Sequence, residues 1–187
     1  MSKFLKICII VCSLFTFDRA FSQERVAMPG EDGRTAPINY EYFPSRQYAF
    51  VWRNWSLVDK EFLADVMQTT VSNVEKLAQQ MGLPAKQTIE QEWSTTRGYI
   101  TILRRNWHLL TYDQLTKLIG MSHEELKYRL NEDDFLYEKL GSMKPYCEPL
   151  LYSEPTAAEL AAAEQFRALG EYRDAAELAA ECRRLSE

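Results

Sequence analysis

Histidine is nearly missing from this chain. Only His108 and His123 occur in 187 residues. Neither lies in a Cys/His/Asp cluster at ligand spacing, so no zinc-type centre is implied. Glycine is also sparse, with 7 residues. No P-loop, dinucleotide fingerprint or G-x-S-x-G elbow can be built from them. Basic excess is absent too. Lys and Arg number 22 against 27 Asp and Glu, a net charge of −5. Nucleic-acid binding needs a basic patch or stripe, so this balance argues against it. Strand-like alternation of period two is missing throughout, and no apolar run reaches the ~20 residues that cross a bilayer.

One short apolar run does occur, "ICIIVCSLFTF" from Ile7 to Phe17. Lys3 and Lys6 precede it, and Asp18, Arg19 and Ala20-Phe21-Ser22 come after it. This order is that of a secretory signal peptide over residues 1–22, cleaved near Ser22. Val11 before Cys12 is not the small residue a lipoprotein signal would carry. The expected address is secreted or periplasmic, with no membrane span after cleavage. Losing Lys3, Lys6, Arg19 and Asp18 takes the net charge from −5 to −7. Cys147 and Cys182 would then be the remaining cysteines. An oxidising compartment allows them to pair, but spacing alone does not decide it.

The dominant feature of the chain is a repeat. "RNWSLVDKEFL" from Arg53 returns as "RNWHLLTYDQL" from Arg105, 52 residues later. Leu57, Leu63, Val66 and Val74 match Leu109, Leu115, Leu118 and Leu126, at helical spacing. Thr111 with Gln114 and Ser122 with Glu125 form capping boxes; Asp59 and Thr70 occupy the same slots in the first copy. Each copy therefore predicts an aromatic anchor and then a helix-turn-helix-like pair. Between them, residues 84–107 predict one longer helix with Trp93, Ile100, Leu103 and Trp107 on one face. "NEDDFLYEKLG" predicts a short helix capped by Asn131 and stopped by Gly141. After Pro155 the composition shifts: 10 of 32 residues are Ala, against 7 of 155 before. That segment opens with a Thr156/Glu159 capping box and predicts a helical hairpin, with Leu160, Phe166 and Leu169 on one face.

The expected architecture is all-α. Residues 23–47 form a turn-rich, loosely docked lead-in, 48–152 the two pseudo-repeats, and 153–187 the Ala-rich hairpin. The helix-turn-helix pattern does not imply DNA binding, because Glu124, Glu125, Glu132, Asp133 and Asp134 sit where a recognition helix needs Arg, Asn or Gln.

Aromatics crowd the stretch "NYEYFPSRQYAFVWRNW". Trp55 and Trp107 repeat and belong to the core. Tyr40, Tyr42, Phe43 and Trp52 are candidates for a ligand or partner surface. Glu90/Glu92 and Asp133/Asp134 are too close in sequence to face one another on a helix, so they make a weak glycosidase pair.

"VWRNWSLV", "TRGYITILRRNWHLLTYDQLTKLIG" and "NEDDFLYEKLGSMKP" resemble an uncharacterised helical module near the N-terminus of large secreted bacterial proteins, some carrying glycoside-hydrolase-like barrels. The resemblance covers roughly residues 48–152 and implies no catalytic residue, metal or cofactor here. "FRALGEYRDAAELA" resembles one tetratricopeptide-like unit. Three functions stand as expectations: a non-catalytic interaction or scaffold module accessory to glycan-handling proteins, a carbohydrate-binding accessory protein, or a small glycoside hydrolase. A protein or a glycan would be the partner.

Overall fold

A computed structural model describes residues 26–31, 33–85, 98–133 and 135–170. The expected signal peptide over residues 1–22, and with it Trp93, Glu90, Glu92, Asp134 and Cys182, lie outside the described residues. Within them the fold is all-α, with no strand. The helices are α1 (Arg46–Asn54), α2 (Lys60–Val66), α3 (Val71–Gln80), α4 (Tyr99–Asn106), α5 (Tyr112–Ile119), α6 (His123–Glu132) and α7 (Leu136–Lys139). An eighth, α8, covers residues 157–170.

The 52-residue repeat is a structural repeat. α1, α2 and α3 correspond to α4, α5 and α6. The two helix-turn-helix turns match bond for bond. In the second, Gly120 N donates to Lys117 O and Met121 N to Thr116 O. In the first, Gln68 N donates to Asp65 O and Thr69 N to Ala64 O. Both are left-handed helix endings that satisfy the last carbonyls. Gly120 holds φ 67° and Gln68, its counterpart, holds φ 53°. Glycine accepts that conformation freely and glutamine does not. Thr70, Thr111 and Ser122 each cap the next helix by accepting a backbone N–H. Asp59 occupies the N-cap slot of α2 without that bond.

The halves meet through like elements: α1 lies against α4, and α2 against α5. Each interface helix thus faces its own copy, as in an isologous dimer. At the centre, Asn54 and Asn106 are fully buried. Asn54 Nδ2 donates to Asn106 Oδ1 (2.9 Å), and Asn106 Nδ2 donates back to Asn54 Oδ1 (2.7 Å). Each also donates to a carbonyl one turn earlier, Phe50 O and Ile102 O. Arg53 Nε donates to Arg105 O (2.8 Å) and Arg105 Nη1 to Arg53 O (2.6 Å). The repeated "RN" is a self-complementary contact. The third repeated residue, tryptophan, anchors the segment that leaves each half. Trp55 Nε1 donates to Pro84 O (2.9 Å), and Trp107 Nε1 to Met143 O (2.8 Å). Both indoles are buried.

The flanking segments cross over. The lead-in meets the second half, where Met28 is buried and Pro29 O accepts from Tyr112 Oη (2.6 Å). Ile38 N donates to His108 Nδ1 (3.2 Å). α8 lies on the first half, where Phe166 stacks on Phe43 and the Arg167 stem covers Gly82. Between α7 and α8 an extended run is held by side-chain amides, one from each half. Gln114 Nε2 donates to Leu150 O and its Oε1 accepts from Leu150 N. Gln47 repeats this on Ser153.

The structure corrects two expectations. Asn131 does not cap the short helix; it lies inside α6, and Phe135 in left-handed conformation (φ 56°) precedes α7. The preceding helix runs through Asn131 and Glu132 and ends at Asp133, whose backbone is extended. Leu160 and Leu169 do not share the burial of Phe166, being 42% and 70% exposed; α8 is seated by Ala163 and Phe166 instead.

In urea denaturation, Asn54→Ala and Asn106→Ala should each cost about 2 kcal/mol by stranding a buried amide. The double variant should cost about 1–2 kcal/mol less than the sum. Gln68→Gly should raise stability by about 1 kcal/mol by relieving the left-handed backbone, whereas Gly120→Gln should lower it.

Candidate functional site

The aromatic segment enters α1 through a turn closed by Phe43 N donating to Tyr40 O (3.1 Å). α1 buries six of its nine residues, since it packs on both α3 and α4. Trp52 is the large apolar side chain it leaves 40% exposed. The Phe43 ring stands 5.4 Å from Trp52 at 56°, and Phe166 of α8 lies 5.3 Å from Phe43 and 6.3 Å from Trp52. Tyr42 is 92% exposed beside them.

Of the four candidate residues, then, Phe43 and Trp52 are in contact, Tyr42 projects into solvent, and Tyr40 turns elsewhere. The Tyr40 ring lies under the Arg53 guanidinium, 5.0 Å from its centroid. Burial raises the Tyr40 hydroxyl above its ordinary value, against a smaller lowering by the Arg53 charge. Sequence reading missed Phe166 as the third ring, because its distance from Phe43 along the chain is bridged only by the tertiary fold. The rings do not share a plane: Trp52 and Phe166 meet at 83°.

A second concentration of chemistry sits on the other half. A cavity of about 250 Å³ is bounded by Glu31, Thr111–Asp113 and Lys144–Cys147. Lys144 is 5% exposed. Its Nζ donates to Trp107 O (3.0 Å), Leu110 O (2.8 Å) and Pro145 O (3.1 Å), and lies 3.5 Å from Cys147 Sγ. The Trp107 and Tyr112 rings flank it at 5.3 and 5.7 Å. Burial pushes the amine below its ordinary value, while three carbonyls and two ring faces hold its protons. The ammonium thus caps the chain leaving α4, where the helix dipole favours a cation. Nothing in the Pro-bounded sequence around Lys144 signalled this, because the α4-end carbonyls it meets lie more than 30 residues upstream. Cys147 is buried at the same spot, and its candidate partner Cys182 lies outside the described residues.

The two histidines are separate. His123 Nε2 meets Asp113 Oδ1 at 2.9 Å on the surface. His108 Nδ1 accepts the Ile38 N–H. Burial, with the Lys144 and Arg53 charges adding to it, holds the His108 imidazole below its ordinary value. Asp133 accepts from Tyr99 Oη and Arg129. Among the described residues no group of three or more His, Cys, Asp or Glu could hold a metal ion, and no helix is long and apolar enough to cross a membrane.

No family model, curated protein or solved structure matches this chain.

Lys144→Met should destabilise the chain by about 2–4 kcal/mol in chemical denaturation, since it leaves buried carbonyls unpaired. His108 has a depressed folded value, so the unfolded chain binds the proton more readily. Stability should fall as pH drops below the ordinary imidazole value of about 6.5 and level off once the folded value is passed. Denaturation midpoints from pH 8 to pH 5 check this, and His108→Gln should remove that portion of the slope.

Proposed function

We propose that the chain is an exported helical interaction module that presents the Tyr42–Phe43–Trp52–Phe166 surface to a protein partner, as an accessory to glycan-handling proteins. The observation that carries this reading is the surface aromatic cluster. Trp52 stays 40% exposed on a helix whose other apolar residues are buried, with Tyr42 at 92% alongside. Aromatic rings of this kind anchor protein interfaces. Their tilts of 56° and 83° support a partner that fills a contoured surface over a flat sugar ring stacked on a plane. The charge pattern and the apolar run of residues 7–17 support export with cleavage near Ser22, and the resemblance of residues 48–152 supports the link to glycan-handling systems.

The buried long polar side chains bond to the chain itself, and that also favours a scaffold. Lys144, Gln47 and Gln114 each bond to backbone atoms, of the extended segment, of the end of α4 or, for Gln114, also of Val66 at the end of α2.

The test is a paired screen on residues 23–187, by glycan array and by pull-down from the exported fraction. A protein partner that is retained by the unaltered chain and lost with Tyr42→Ala and Trp52→Ala is the expected outcome. Glycan binding abolished by Trp52→Ala would contradict the proposal and establish the carbohydrate-binding alternative. Mass spectrometry of the exported protein should find Gln23 as the first residue. An intact Met1 on exported material would overturn the assigned address.

A further inference from the structure

The run from α7 to α8 joins a strained turn to downstream contacts that are directed at backbone atoms. α7 ends in a left-handed motif in which Gly141 N donates to Glu138 O and Ser142 N to Tyr137 O. Gly141 has φ 96° and Ser142 φ 51°. The glycine suits this conformation. The serine is a second consecutive left-handed residue, and its Cβ opposes that conformation.

Past this turn, residues 143–170 are attached to both halves. Trp107 Nε1 binds Met143 O, Gln114 grips Leu150 by both amide edges, and Gln47 does the same at Ser153. Leu150 is buried, and α8 brings Phe166 onto Phe43 and Trp52. None of these contacts depends on the attached segment belonging to the same molecule. A second copy supplies the identical carbonyls, amides and rings.

We propose that the protein forms an exchanged dimer with a second copy of itself. The Ser142 turn opens, and residues 143–170 of each chain dock on the Gln47/Gln114 clamps of the other. Every downstream contact is kept in trans, and Ser142 leaves the left-handed region. Relief of strain in a hinge while native contacts are preserved is the condition that favours such exchange. The partner surface is therefore the groove between the halves that the segment already occupies in one chain. This reading is independent of the aromatic surface, which each subunit of the dimer rebuilds from α1 of one chain and α8 of the other.

The experiment uses the full exported chain, unfolded in denaturant and refolded at increasing concentration, with size-exclusion light scattering as the readout. A parallel variant carries Gln47→Cys and Ser153→Cys, so that a bridge across the clamp records which chain supplied each side. The expected result is a dimer whose bridge joins two chains on a non-reducing gel. Each left-handed serine contributes a factor of about ten. Two hinges open together, so Ser142→Gly should weaken dimerisation by roughly a hundredfold. A monomer at every concentration overturns the proposal. So does a dimer whose bridges stay within single chains, which would be an ordinary side-by-side pair. An exchanged dimer unaffected by Ser142→Gly overturns the assignment of Ser142 as the hinge.

Discussion

The structure depends on two buried asparagines that face each other. An amide placed in an apolar core without a partner costs several kcal/mol. Asn54 and Asn106 avoid that cost only together, each giving one N–H to the other and one to its own helix. Their neighbours Arg53 and Arg105 add a second exchanged pair. A slide of α1 along α4 would strand these polar groups. The pair therefore fixes register between halves that apolar packing alone would hold less specifically, a role well attested for single buried polar residues.

The rest of the chain is arranged around that axis. The helices before and after it are tied down by Trp55 and Trp107, whose indole N–H groups reach the segments that leave each half. The lead-in covers the second half and α8 covers the first, so each end of the described chain stabilises the half more distant in sequence. Gln47 and Gln114 do the same for the extended run between α7 and α8. The two copies also differ in what surrounds them. Lys144 fills the end of α4, and the rings of Phe43, Trp52 and Phe166 meet only on the first half.

Much of this was legible in the sequence. The 52-residue repeat, the helix pairs, the Thr111 and Ser122 caps and the buried Trp55 and Trp107 are local patterns, and local patterns survive folding. The role of "RN" was not legible. A repeated Asn before a Trp says nothing about whether it meets solvent, a ligand or its own copy, since the two lie 52 residues apart and only the packing of α1 on α4 joins them. Lys144 and the glutamine clamps were hidden for the same reason. Tyr40 shares the turn of the other candidates, but its half-buried ring packs under the Arg53 guanidinium, a contact that sequence proximity does not show. Tyr42 and Trp52 stood out as surface candidates because aromatics crowd their stretch, whereas the approach of Phe166 to Trp52 required the docking of α8.

The geometry that the two halves share lies at the centre of the fold, and the differences between them lie at its edge. The most direct test of the central contact is the hydrogen exchange of the Asn54 and Asn106 side-chain amides by NMR. Both Nδ2 groups should be protected to the level of global unfolding, with proton contacts observed between the two residues. Exchange at the rate of surface asparagines, or no contact between them, would contradict the account.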